Sequence, residues 1–302
     1  MADYRHAVLT ASVGSRGHTV AKPKYTTLIS PAELAAHVSD PTWVIVDCRY
    51  NLADVDAGER AYRAAHIAGA QFMHMDRDLS GAKTGVNGRH PLPRIADIVA
   101  TLNRAGIDDS KQVIAYDQNN GMWASRLWWL LQWLGHPAAA VLDGGLDRWI
   151  AEGHLLTVEA PRVQPTTFIA RQPTPTASAD EIMEHLDDGA LTVIDARAPE
   201  RYRGDVEPID PVAGHIPGAV NRPYTANLGE QGIFKPAPQL RAEFQTLLDG
   251  SPPESVVHQC GSGVTACHNV LAMAIAGLPG SRLYPGSWSE WIAAPERPIA
   301  RG

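Results

Sequence analysis

Four short motifs occur twice in this chain in the same order, and that duplication constrains the fold more than any other feature. Trp43-Val44-Ile45-Val46-Asp47-Cys48-Arg49 is answered by Leu191-Thr192-Val193-Ile194-Asp195-Ala196-Arg197, each an apolar run closing on Asp-x-Arg. His66-Ile67-Ala68-Gly69-Ala70 is answered by His215-Ile216-Pro217-Gly218-Ala219, and Val113-Ile114-Ala115-Tyr116-Asp117 by Val256-Val257-His258-Gln259-Cys260. Leu142-Asp143-Gly144-Gly145-Leu146-Asp147-Arg148-Trp149 is answered by Tyr284-Pro285-Gly286-Ser287-Trp288-Ser289-Glu290-Trp291. The separation between partners shrinks slowly along the chain, as expected of two copies of one domain whose loops have drifted in length. A chain of 302 residues accommodates two such copies.

Within each copy, short apolar runs alternate with helical patterns. The periodicity predicts helices over residues 95–105, 124–134, 146–152 and 266–277, with strands over 113–116 and 139–142. Continuous β-branched runs separated by helices predict an α/β fold whose parallel sheets are covered on both faces. Ser30 with Glu33, and Ser178 with Glu181, read as capping boxes opening the two copies, and Pro31 suits a first helical position. Pro161, Pro165, Pro173 and Pro175 mark an extended linker. The expected organisation is a flexible extension over 1–24, domain one over 25–158, a linker over 159–176 and domain two over 177–302. Arg5, Arg16, Lys22 and Lys24 against the lone acid Asp3 give the extension a weak likeness to an organelle transit segment.

A net charge of −7 offers no basic field for nucleic acid or an anionic membrane, so neither partner is expected. Cys48, Cys260 and Cys267 are too few for a disulfide framework and suit a reducing compartment, so a cytoplasmic location is expected. The chain has no apolar run of transmembrane length.

The chemistry concentrates at Cys260. A strand ends there, Gly261-Ser262-Gly263-Val264-Thr265 follows, and a helical run begins. Backbone N–H groups of such a turn, and the helix N-terminus behind it, favour thiolate over thiol, so Cys260 reads as a nucleophile. Strand carboxyl ends are where sites form in parallel sheets. Asp117 stands at the matching place in copy one, so one thiol serves two domains.

Asp-x-Arg after a strand, His-Ile-Pro-Gly-Ala, the cysteine loop and Gly286-Ser287-Trp288-Ser289-Glu290-Trp291 together resemble the tandem rhodanese-type sulfurtransferases, from about Thr27 onward. The resemblance implies two rhodanese-like domains, each a five-stranded parallel sheet flanked by helices, the first non-catalytic and the second catalytic. It implies transfer of a sulfane sulfur through a Cys260 persulfide, with no cofactor and no metal. The partners implied are a small-molecule sulfur donor and a thiol acceptor, thioredoxin or a small thiol, or else cyanide. Gly261 and Gly263 permit close approach, Ser262 and Thr265 add hydroxyl donors, and Val264 completes the substrate-binding loop. Thr265 also reads as a helix N-cap.

In the resembled family, members using 3-mercaptopyruvate carry Cys-Gly-Ser-Gly-Val-Thr, as here, whereas thiosulfate-preferring members place cations directly after the cysteine. Mercaptopyruvate is therefore the expected donor, with thiosulfate the alternative and a non-enzymatic persulfide carrier a second. Arg201 matches the family's substrate arginine, and a guanidinium fits a carboxylate bidentately. Arg197 is expected to pair with an acid inside the fold. Mercaptopyruvate-using members of the resembled family often carry a second arginine just after Glu-Pro; here Glu207-Pro208 is followed by Ile209, so either Arg203 or Arg222 compensates or substrate affinity is lower. The resemblance further implies proton handling by Ser262, His66 and an acid from the first copy, Asp56, although His215 at the matching place also fits a structural role common to both histidines.

Two other chemistries are excluded or disfavoured. A cysteine-loop phosphatase needs arginine six residues after its cysteine, where this chain has Ala266. His258, Cys260, Cys267 and His268 match no paired metal-ligand spacing. Cys267 is also a candidate resolving thiol. Trp123, Trp128, Trp129 and Trp133, at helical spacing, read as core or interface packing.

Overall fold

The computed structural model describes residues 25–136 and 138–302, so the predicted extension over 1–24 lies outside the described residues. Copy one runs β1 (Leu28–Ile29), α1 (Pro31–Ala35), β2 (Trp43–Asp47), α2 (Ala57–Ala64), β3 (His66–Ile67), β4 (Gln71–Phe72), α3 (Ile95–Arg104), β5 (Gln112–Tyr116), α4 (Ala124–Trp133), β6 (Ala139–Leu142), α5 (Gly145–Ala151) and β7 (Leu156–Thr157). Copy two runs α6 (Ala179–Glu184), β8 (Thr192–Asp195), α7 (Pro199–Arg203), β9 (Val220–Asn221), α8 (Ala237–Leu248), β10 (Val256–Gln259), α9 (Thr265–Ile275), β11 (Arg282–Leu283) and α10 (Ser287–Trp291).

Five strands of copy one form a parallel sheet ordered β1-β6-β5-β2-β4, and β3 pairs separately with β7, antiparallel. Copy two departs from the expected five strands: its sheet has four, ordered β11-β10-β8-β9. Where a fifth would pair, Ala177 N–H donates to Leu283 O at 2.9 Å, and the run stops there. Pro173 and Pro175 remove the donors that would extend the ladder.

Val44, Ile45 and Val46 of β2, and Val113, Ile114 and Ala115 of β5, are all buried, because helices cover both faces of the sheet. Ser30 forms a full capping box with Glu33. Ser178 accepts from Glu181 N–H at 3.1 Å, but the Glu181 carboxylate turns to Arg282 at 2.7 Å, so the second box closes on one side only.

The two copies are not beads on a string. Helix α4 is buried around its circumference, Ser125 and Arg126 included, because it packs against α9, itself mostly buried. One apolar cluster joins Leu127, Leu130 and Leu131 of copy one to Ala266, Leu271 and Met273 of copy two. Trp128, Trp129 and Trp133 belong to that cluster, as their spacing predicts. Both helices start at the loops that follow Asp117 and Cys260, so packing α4 on α9 brings the two loops face to face.

Candidate active site

The Asp-x-Arg motif has a local explanation. Asp195 accepts from the Arg197 backbone N–H at 2.9 Å and from its side chain, and Arg197 passes a further bond to Gly214 O at 2.7 Å. Asp47 and Arg49 repeat this, with Ala65 O in the place of Gly214 O. These pairs fold the chain back after the first strand of each copy, and Arg197 is thus occupied structurally.

Cys260 follows β10 and is 2% exposed. Its backbone N–H donates to Ser287 Oγ at 3.1 Å, and its carbonyl accepts from Trp288 N–H at 3.0 Å. Ser287 holds φ 54°, a left-handed conformation, where copy one has Gly145 at φ 59°. Gly263 is required outright: φ is +74°, and a Cβ there would lie 2.3 Å from Pro285 O. Gly261 needs no left-handed φ, and a Cβ on it would meet the Arg89 guanidinium at 2.7 Å.

The matching loop of copy one is filled by its own side chain. The Asp117 carboxylate accepts from Gly121 N–H at 3.0 Å, Trp123 N–H at 2.8 Å and Ala124 N–H at 3.1 Å. In copy two, among the described residues, the N–H groups of Gly261 to Thr265 have no protein acceptor. One cradle is closed by a carboxylate; the other is free to hold an anionic sulfur. Thr265 does not cap α9 as its type suggests; Val264 occupies the N-cap and Thr265 is the first helical residue.

Copy one supplies what the thiol loop lacks. Ser262 Oγ lies 2.8 Å from His90 Nδ1, and His90 Nε2 faces Asp76 Oδ1 at 3.6 Å. Asp76 accepts from Tyr50 at 2.6 Å and Lys83 at 2.8 Å, which hold its carboxyl below the ordinary range although burial opposes them. Burial pulls His90 down to about 3, with Arg126, Lys83 and Arg89 adding to it against Asp76. His90 is therefore neutral at pH 7. The carboxylate on its Nε2 side favours the proton there, leaving Nδ1 to accept from the Ser262 hydroxyl.

His90 and Asp76 thus stand where the resemblance implied His66 and Asp56. The structure corrects both. His66 Nδ1 lies 2.8 Å from Tyr62 O and its ring stacks on Tyr62; His215 Nδ1 lies 2.8 Å from Tyr202 O and stacks on Tyr202. The repeated histidine anchors the chain in both copies and does not meet Ser262. The Asp56 side chain is 60% exposed, beside Arg77 at 3.8 Å.

Arg126, another residue the sequence did not single out, is fully buried in α4 and has no carboxylate partner among the described residues. It donates to Gly263 O at 3.0 Å, His90 O at 3.2 Å and Leu79 O at 3.4 Å, binding the cysteine loop to copy one. Cys267 is buried, gives its thiol to Gly263 O at 3.3 Å and is pushed up to about 12 by burial, which suits neither a resolving thiol nor a metal ligand.

These parts enclose a cavity of about 520 Å³ at the carboxyl ends of β8 and β10, lined among others by Tyr50, Trp123, Arg201, Ile209, Tyr224 and Cys260. Trp123 is therefore a pocket wall, packed edge-on to Tyr50 at 5.0 Å. Arg201 donates to Glu207 at 2.7 Å and Asp210 at 3.2 Å. Neither arginine expected to compensate for Ile209 does so. Arg203 pairs with Asp205 at 2.8 Å on the surface, and Arg222 with Asn227 and Glu243, both at 2.9 Å. Arg89 of copy one also reaches the pocket, beside Arg201, and bonds the buried Asp210.

Burial holds His258 at about 3 and His268 at about 4, as it holds His90 at about 3, against an ordinary 6.5. The unfolded chain protonates these rings as the pH falls through 6.5, whereas the folded chain excludes the proton until about 3 to 4. Their stabilisation is complete above pH 6.5 and drains away below it, by up to about 1.4 kcal/mol per ring per pH unit. Urea midpoints should fall steadily from pH 6.5 to 4.5; a flat profile would show that the rings do not stay neutral.

The rhodanese-like domain profile matches residues 30–152 and again 178–294. A protein of Pseudomonas aeruginosa named "Probable 3-mercaptopyruvate sulfurtransferase" is 47% identical over 281 residues, covering 91% of this chain and 98% of its own length. A thiosulfate sulfurtransferase of Rattus norvegicus is 32% identical over 293 residues, covering 92% and 96%. The structure is similar to that of a 3-mercaptopyruvate sulfurtransferase from Leishmania major, with a TM-score of 0.75 and 31% identity over 89% of this chain and 75% of the other.

Proposed function

The chain belongs to the rhodanese family and is a sulfurtransferase, and from that premise we propose that it takes sulfur from 3-mercaptopyruvate through a persulfide on Cys260. The observation that carries the choice of donor is the Ser262–His90–Asp76 arrangement. Breaking the carbon–sulfur bond of mercaptopyruvate leaves an enolate that must gain a proton. Breaking the sulfur–sulfur bond of thiosulfate leaves sulfite, which needs none. A hydroxyl backed by a neutral imidazole and a carboxylate is equipment for the first reaction.

The Cys260 thiolate attacks the donor's sulfur, and a sulfur–sulfur bond forms as the carbon–sulfur bond breaks. The bonding pair passes to the three-carbon fragment. The proton shed by the transferred sulfur, as it becomes the outer persulfide atom, reaches the fragment through Ser262 and His90, and pyruvate leaves. The unpartnered N–H groups of Gly261 to Thr265 support the anionic sulfur before and after transfer. A thiolate acceptor then attacks the outer sulfur and frees the Cys260 thiolate. Cyanide does the same and leaves as thiocyanate. We propose thioredoxin or a small thiol as the acceptor, domain two as the catalytic copy, and Arg201 as a ligand of the donor's carboxylate.

Thiosulfate remains a second reading on one observation. The loop after Cys260 is neutral, but Arg89 and Arg201 lie over it, so loop composition alone does not set the charge an incoming donor meets. Glu207 and Asp210 offset those two arginines, which suits a monoanion better than a dianion. The test is kcat/KM for both donors, with pyruvate counted over many turnovers. Mercaptopyruvate should lead by at least about tenfold. A lead for thiosulfate reverses the donor assignment, and a single turnover followed by arrest identifies a carrier.

Among the described residues no helix is long and apolar enough to cross a membrane. Cys48, Cys260 and Cys267 are all free and buried, which supports the cytoplasm as the working compartment.

A further inference from the structure

We propose that Tyr50, contributed by copy one, is a positioning residue of the proton path: its hydroxyl aims the Asp76 carboxylate at His90 and so fixes which ring nitrogen of His90 carries the proton. The proposal rests on the functional reading above and adds to it a residue that acts through another. Tyr50 follows directly on the corner made by Asp47 and Arg49, whose bonds fix the backbone from which its side chain projects. Copy two has Ala198 at the matching place, so the corner recurs and the phenol does not.

Tyr50 Oη donates to Asp76 Oδ2 at 2.6 Å, and Lys83 Nζ donates to Asp76 Oδ1 at 2.8 Å. With both oxygens tied, Oδ1 stands 3.6 Å from His90 Nε2, too far for a hydrogen bond but near enough for its charge to act. His90 Nε2 is buried and makes no hydrogen bond among the described residues, so the Asp76 charge is what favours a proton there. Arg126, Lys83 and Arg89, the cations that face the ring, disfavour a second proton on it. With the proton on Nε2, the Nδ1 lone pair meets the Ser262 hydroxyl at 2.8 Å. The other tautomer would turn an N–H toward that hydroxyl and leave nothing to accept its proton.

The two ties on Asp76 are unequal. The Lys83 side chain is 54% exposed, a flexible ammonium that reaches the carboxylate from solvent. Tyr50 is 8% exposed, its ring packed edge-on to Trp123 at 5.0 Å, His74 at 5.6 Å and His90 at 6.1 Å. Burial and the bond to Asp76 hold the Tyr50 hydroxyl above its ordinary range, so it stays a donor. The rigid tyrosine therefore fixes the carboxylate in place, and the lysine supplies charge. Without the phenol, Asp76 follows Lys83 toward solvent and His90 loses its bias.

The test is Tyr50→Phe, which keeps the ring and removes the hydroxyl. Imidazole nitrogen NMR of the full chain without donor reads the tautomer, with His90→Ala identifying the His90 resonances. The parent chain should carry the His90 proton on Nε2, and Tyr50→Phe should show a mixture of the two tautomers. With mercaptopyruvate, kcat should fall about tenfold, whereas KM and the rate with thiosulfate should stay within about twofold. In an Asp76→Asn background the same substitution should change kcat by less than about twofold, because Tyr50 acts through that carboxylate. An unchanged tautomer overturns the proposal, as does an unchanged kcat for mercaptopyruvate, an equal loss with both donors, or a tenfold loss that persists beside Asp76→Asn. A parent chain inactive with mercaptopyruvate would refute the donor reading alone, since the tautomer still judges Tyr50.

Discussion

Cys260→Ser should abolish sulfur transfer from any donor, with turnover at least about four orders of magnitude below the parent, while the protein stays folded. Cys260 is 2% exposed at the end of β10, so serine of similar size fits the site and preserves the bond from its backbone N–H to Ser287 Oγ. A serine hydroxyl is a far weaker nucleophile and cannot carry a persulfide. Incubation with donor followed by intact-mass measurement should show one added sulfur on the parent chain and none on the variant. Turnover or a sulfur adduct in Cys260→Ser would move the nucleophile elsewhere. Neither remaining thiol is suited to replace it, because burial pushes Cys48 well above its usual range and Cys267 up to about 12.

His90→Ala should separate the donors. With mercaptopyruvate, kcat should fall by about 10²- to 10³-fold, the range for removing a positioned acid–base group. With thiosulfate, whose leaving sulfite needs no proton, the fall should stay within about tenfold. Ser262→Ala should follow the same pattern if the proposed proton path holds, since His90 Nδ1 lies 2.8 Å from the Ser262 hydroxyl. His66→Ala should show no such discrimination and should lower stability, since both ring nitrogens of His66 contact backbone carbonyls, Tyr62 O at 2.8 Å and Glu159 O at 3.1 Å. Equal losses with both donors in His90→Ala would place the imidazole in loop structure rather than proton transfer.

The contrast between His66 and His90 shows where sequence reading works and where it stops. His66 stands out because it recurs as His215, but recurrence in both copies marks what folding needs from each copy, here a ring stacked on tyrosine and tied to its carbonyl. His90, Asp76 and Arg89 lie where the two copies differ, in loop between β4 and α3 with no periodicity to mark them. Arg126 was hidden differently: in an apolar helix it reads as one solvated charge, and only the packing of α4 on α9 buries it.

The sequence by itself determined what is local: two copies, their strands and helices, the Asp-x-Arg corners, and a thiol on a strand-to-helix turn with its counterpart in copy one replaced by aspartate. Neighbour-to-neighbour chemistry dictates those features, through side-chain periodicity, turn residues and short-range hydrogen bonds. The tertiary structure alone decided which residues of copy one face the thiol. That choice depends on how the buried faces of α4 and α9 pack, and hydrophobic burial is non-directional: it brings two surfaces together without recording in either strand or helix which loop will lie across the interface.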